Sequence, residues 1–228
     1  ILVYSFYDRS LWSDVSTWQV DEATTMWIGL TESINNVSVG LISSHGIPNP
    51  NGMIYLSKVL SLFPSLWSAS YALSILQLFL ISLLGFVLVK DNDKFFFIII
   101  TPLIFCLCLR SISAHMSNQW ILTLINLLYF ILVVIYLNKP SITKLTLLSL
   151  PILLAPSIYL SGIANSIAFL FCTFFIILIY PPKITLKKVY KSLLISSALI
   201  TIFFYASWFP YLKIILTNNI EFFNLCCG

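Results

Sequence analysis

Apolar residues run along this chain in blocks long enough to cross a bilayer, with polar residues gathered between them. A helix needs about 20 apolar residues to span the hydrocarbon core. Segments 67–89, 120–137 and 192–208 come close to this, the last ending before Pro210. Segment 95–109 is shorter, but a tilted helix carrying Pro102 is acceptable inside a bundle. Segment 145–180 is too long for one crossing and too short for two ideal ones. Its middle, Tyr159-Leu160-Ser161-Gly162-Ile163-Ala164-Asn165, has turn chemistry, which predicts a hairpin of two short helices. The pattern predicts an all-α polytopic transmembrane bundle, with about six spans over 67–208 and a further outer segment starting at 209–228.

Residues 7–66 follow a different pattern. They begin polar and then carry short mixed stretches, Trp27-Ile28-Gly29-Leu30 and Met53-Ile54-Tyr55-Leu56. These have helical spacing but are too short to span, so they are expected to lie at the interface. Trp12, Trp18, Trp27 and Trp67 suit that level. The opening Ile1-Leu2-Val3-Tyr4-Ser5-Phe6 lacks the basic start of a signal peptide. It reads as the last turns of a span that begins upstream, so the chain is expected to be part of a longer one.

Composition agrees with the pattern. The 228 residues are 59% hydrophobic and 9% charged, with a mean hydropathy of +0.98. A soluble domain carries about 25% charged residues. The lysines do not share a surface with stacking aromatics, which excludes a nucleic-acid footprint. Cys106, Cys108 and Cys172 lie inside apolar runs, where a thiol behaves as a small hydrophobe.

Charge placement then suggests an orientation. Lys90 and Lys94, Lys139 and Lys144, and Lys183, Lys187, Lys188 and Lys191 fall in alternate connections, hence on one side. Positive residues mark the cytoplasmic side. Residues 7–66 are then non-cytoplasmic, together with the acids Asp8, Asp14, Asp21, Glu22 and Glu32. Arg9, Lys58, Arg110 and Lys213 depart from the bias.

Candidate chemistry sits in that first outer loop. Asp21 and Glu22 are adjacent acids beside a membrane, suited to act as a general base or to coordinate a cation. Equally, they would cap a helix starting at Ala23. His45 is a base or phosphate ligand, or else a solvated turn residue. The run Gly46-Ile47-Pro48-Asn49-Pro50-Asn51-Gly52 is too rigid for a linker and must order the loop against something, either the acids or the next helix. Arg110 either holds a phosphate in a bidentate grip or snorkels to the interface.

The order of Asp21-Glu22-Ala23, then Gly46-Ile47-Pro48-Asn49-Pro50, then Tyr55-Leu56 before the next span resembles the GT-C superfamily of membrane glycosyltransferases. The bacterial branch similar to protein O-mannosyltransferases and aminoarabinose transferases is the nearest in kind. Arg110 and Trp120 are similar to an Arg and an aromatic found there after the third span. The resemblance rests on about fifty residues plus topology. Family members have about twice as many spans, so 1–228 would be a partial GT-C-like domain.

The resemblance implies a polyprenyl-phosphate sugar donor, and a lipid, glycan or protein acceptor, at the outer face of the bacterial inner membrane. Asp21 and Glu22 become the catalytic candidates, and His45, Asn49 and Arg110 the substrate-binding ones. No cofactor is certain. A divalent metal stays open, with Asp21 and Glu22 as its ligands if there is one. Two rivals stand beside this reading: a transporter or flippase, and a non-catalytic membrane subunit. Transporters place ionisable or broken-helix sites near the midplane, where the sequence offers only Pro151 and Pro156.

Overall fold

The computed structural model describes residues 27, 28, 30, 31, 49–89, 118–182 and 186–217. Within them the chain is all-α. Helix α1 is Gly52–Leu60, α2 Leu66–Val89, α3 Asn118–Asn138, α4 Ile142–Leu147, α5 Ser149–Ile158 and α6 Gly162–Ile179. Helix α7, Leu186–Phe203, runs through a π turn, Phe204–Trp208, into α8, Phe209–Thr217. Four stretches are long and apolar enough to cross a membrane: Tyr71–Val89, Ile121–Asn138, Gly162–Ile179 and Val189–Lys213. The chain is therefore a multi-pass membrane protein. Segment 95–109 lies outside the described residues.

The expected hairpin is present, with unequal arms. The first arm starts at Ile142, where the Ser141 side chain caps the helix by accepting from Lys144 N–H at 3.4 Å. It breaks at Leu148. Pro151 has no N–H to give Leu147 C=O, which accounts for the interruption. The second arm, α6, is 18 residues long, a full crossing rather than the short helix expected. The last span also differs from expectation: it does not stop before Pro210 but continues helically to Thr217. Proline is tolerated in the first turn of a helix, and the π turn directly before it lets α8 start afresh.

Cross-helix bonds set the directions. Asn165 Nδ2 donates to Asn126 Oδ1 at 3.4 Å, Tyr129 Oη to Phe169 O at 2.9 Å, and Tyr136 Oη to Tyr180 O at 2.7 Å. Numbers rise together along both helices, so α3 and α6 are parallel. Ser166 Oγ bonds Ile152 O at 2.6 Å, so α5 returns antiparallel between them. Helix α7 packs along α4 and α5, and α2 along α3.

Lipid tails are as apolar as leucine, so helices in a membrane associate by close packing and hydrogen bonds rather than by apolar burial. The contacts here fit that account. Ala69 and Ala155 are fully buried. A Cβ at Gly162 would strike Ala155 C=O, so only glycine lets the two hairpin arms meet there. Tyr129 stacks on Phe169 with centroids 4.0 Å apart, while its hydroxyl also meets Thr173 Oγ1 at 2.9 Å. Phe171, Phe174 and Phe175, on α6, are exposed where lipid would touch them.

Candidate functional site

Of the residues singled out in the sequence, Asp21, Glu22, His45 and Arg110 lie outside the described residues. Residues 27, 28, 30 and 31 are helical, and Thr31 Oγ1 donates back to Trp27 O at 2.8 Å. Trp27 and Leu30 are largely exposed.

Asn49 is described, and it is buried. Its Oδ1 accepts from Leu160 N–H at 3.4 Å, in the turn of the hairpin. Pro50 and Asn51 follow, both fully buried. The proline-rich run is therefore ordered against the next helices. Helix α1 starts immediately afterwards, and Gly52 is where it touches α5: a Cβ there would strike Ser157 C=O. At nine residues α1 is too short to cross a bilayer. It buries Met53, Ile54, Ser57 and Leu60 and leaves Val59 exposed, as a helix at a membrane surface would.

Asn51 is the centre of this arrangement. Its Nδ2 donates to Tyr55 Oη at 3.1 Å and to Ala206 O at 3.2 Å. Its Oδ1 accepts from Ser207 Oγ at 2.9 Å, and Ser207 Oγ also lies 3.5 Å from Ser157 O. The amide orientation is fixed chemically, because Ala206 C=O can only accept. Burial pushes the Tyr55 phenol above its ordinary value near 10, and the bond from Asn51 partly opposes this.

The bond to Ala206 has a specific cause. Ala206 lies in the π turn, and the residue four positions on, which would donate to its C=O in an α-helix, is Pro210, which has no N–H. Asn51 supplies a donor to that carbonyl from the start of another helix. The same device occurs in the hairpin. Pro156 cannot donate to Ile152 C=O, and Ser166 Oγ bonds that oxygen from the neighbouring arm.

The sequence reading missed Asn51, Ser157 and Ser207. The sequence holds half of a signal: a proline four residues after an apolar position marks a carbonyl in need of a donor, but it does not say which distant side chain supplies one. The constellation is neutral. Among the described residues there is no Asp, Glu or His, and no cluster of three metal-ligating side chains. These residues can hydrogen-bond and position a segment, but they contain no group to take up a proton near neutral pH. No protein-family model, no curated protein and no solved structure matches this chain.

Proposed function

We propose that the protein is a GT-C-type glycosyltransferase that moves a sugar from a polyprenyl-phosphate donor to an acceptor hydroxyl at the non-cytoplasmic membrane face. The observation that carries this reading is the anchoring of Asn49 and Asn51 on the hairpin turn and the π turn. It fixes the downstream end of residues 7–66 at one end of the bundle, opposite the end where Lys139 and Lys191 lie. The candidate acids are on the same loop, which the resemblance to GT-C enzymes makes the catalytic one.

In this mechanism Asp21 takes the proton of the acceptor hydroxyl. The acceptor oxygen then attacks the anomeric carbon, the bond to the phosphate oxygen breaks, and the configuration inverts. Arg110 neutralises the departing phosphate, while Glu22 and His45 position the acceptor. Asn49 holds the loop.

The test is transfer from a defined polyprenyl-phosphate sugar by the full-length protein in liposomes. Asp21→Asn keeps the size of the side chain and removes its basicity, and should cost about 10²–10⁴-fold in rate with unchanged expression. Full activity in that variant would reduce Asp21 to a helix cap. Arg110→Ala should weaken donor use, and Lys at that position should restore it only partly. Orientation is checked by thiol labelling on a cysteine-free background: Ser44→Cys should react from outside and Ser141→Cys only from inside.

One observation favours a second reading, a transporter. The π turn and Pro210 interrupt the last helical run beside buried polar side chains, and discontinuous helices build transport sites, although those lie near the bilayer midplane and this break lies at one end of the bundle. Transport leaves the sugar–phosphate bond intact, so a glycosylated acceptor in the assay separates the two.

A further inference from the structure

We propose that the end of the bundle bearing Lys139, Lys144 and Lys191 is a binding surface for the anionic headgroups of phospholipids in the adjoining leaflet. The inference rests on the membrane fold and not on the glycosyltransferase reading.

The topology gathers these residues. Helix α3 ends at Asn138, and Tyr136 Oη bonds Tyr180 O at the end of α6, so the two parallel helices finish together. Helix α4 begins there, and α7 packs along it. Lys139, Lys144 and Lys191 thus share one end. Lys144 is pinned, its Nζ donating to Ile135 O. Lys139 and Lys191 are exposed. Lys187 and Lys188 belong to the first turn of α7, and Lys183 follows Pro182 in sequence.

The segment that carries these lysines has no acid of its own: no Asp or Glu occurs between Lys94 and Ile220. Asp91 and Asp93, the nearest in sequence, come with Lys90 and Lys94 of their own. The counter-charge must come from outside the segment. The neighbours of the lysines indicate its form. Tyr190, Leu193 and Leu194 flank Lys191 and are more than half exposed, and Ile179 and Tyr180 stand exposed at the end of α6. Free phosphate would meet the ammonium groups and leave these apolar side chains uncovered. A phospholipid meets both, phosphate on the lysines and acyl chain on the apolar face, with tyrosines at headgroup level. Ser192 Oγ, one residue on, is the one buried side-chain oxygen without a hydrogen-bond partner among the described residues.

The experiment is electron spin resonance on the whole protein in phosphatidylcholine bilayers, comparing spin-labelled phosphatidylglycerol with spin-labelled phosphatidylcholine. The protein should hold phosphatidylglycerol more tightly, by at most about fivefold per lysine. Salt should erode the preference. The Lys139→Gln/Lys191→Gln variant should lose at least half of it, and Lys58→Gln/Lys213→Gln should keep it. Equal retention of both lipids would overturn the proposal, as would an unchanged preference in the first variant or a loss in the second. Displacement of phosphatidylglycerol by inorganic phosphate beyond the effect of matched sodium chloride would assign the site to a free anion and sink the lipid reading.

Discussion

At one end of the bundle backbone carbonyls lose their helical partners because prolines interrupt helices; at the other they lose them because helices stop. The donors recruited are different. Ala206 O and Ile152 O, four residues before Pro210 and Pro156, are answered by a neutral amide and a neutral hydroxyl, Asn51 and Ser166. Ile135 O, whose expected partner Lys139 N–H bonds Tyr136 O, is answered by the Lys144 ammonium. Tyr180 O is answered by the Tyr136 phenol. A charged donor is affordable where its remaining protons can reach water or headgroups. Where the donor is enclosed between helices, as Asn51 is, a neutral group avoids burying a charge. Among the described residues the amide end is thus closed and packed, while at the lysine end Lys144 is half-buried and Lys139 and Lys191 are exposed.

The contrast breaks most severely at the glycines. Gly162→Val and Gly52→Val each drive a side chain into a backbone carbonyl of α5. Because a backbone cannot step aside as a flexible side chain can, each should cost more than about 3 kcal/mol. Unfolding by a denaturing detergent measures this. Lys139→Gln, at the open end, should stay within about 0.5 kcal/mol. Equal losses at both ends would remove the distinction between a packed end and an open one.

The proline device predicts the next largest effect, and with a sign that simple packing does not give. Asn51→Leu leaves Ala206 O and Ser207 Oγ short of a partner, and should cost about 1–3 kcal/mol. Pro210→Ala restores an N–H that can reach Ala206 O. The penalty of Asn51→Leu should therefore shrink in the Pro210→Ala background, by about 0.5–1.5 kcal/mol in a double-mutant cycle. Ser166→Ala and Pro156→Ala should show the same coupling on a smaller scale, since one bond is at stake. Additive effects in both cycles would mean that the side chains do not stand in for the missing N–H groups.

These cases also show what was legible in advance. Long apolar runs need no partner to declare themselves, so α2 and α3 were readable to within a few residues, as was the turn between the hairpin arms, while the full length of α6 was not. The lysine pattern foretold that Lys139, Lys144 and Lys191 share an end, because period and parity alone decide it. The continuation past Pro210 was not readable. A proline normally ends a helix, and here its cost is met by Asn51, 155 positions away in sequence. That the proline-rich run is ordered against something was readable from its rigidity; the distance hid only which distant helices bury Pro50 and Asn51. Of the candidate site, the loop's anchor at Asn49 can be placed. The proposed acids rest on the resemblance.

The lysine end yields a smaller effect. Tyr136→Phe removes the bond to Tyr180 O while keeping the ring, and should cost about 0.5–1.5 kcal/mol in detergent unfolding. It should leave the coupling between Asn51 and Pro210 untouched, because the two ends share no partner.

The smallest effect is a pH dependence confined to the amide end. Burial raises the Tyr55 phenol above its ordinary value, so the folded protein holds that proton more tightly than the unfolded chain does. Below pH 10 both states carry it and the contribution to stability is complete. As pH rises past about 10 the unfolded chain loses the proton first. Stability then falls until the folded phenol titrates as well. Asn51→Leu removes the hydrogen bond that favours the phenolate and keeps an apolar side chain of similar size beside the phenol, so burial is left unopposed and the alkaline loss should become larger in that variant. Tyr55→Phe should abolish this part of the slope altogether. Detergent unfolding between pH 8 and 11 measures it against Tyr190→Phe, a change at the exposed lysine end. If both phenylalanine variants flatten the alkaline slope equally, Tyr55 has no special environment, and the amide end is no more closed to solvent than the end opposite.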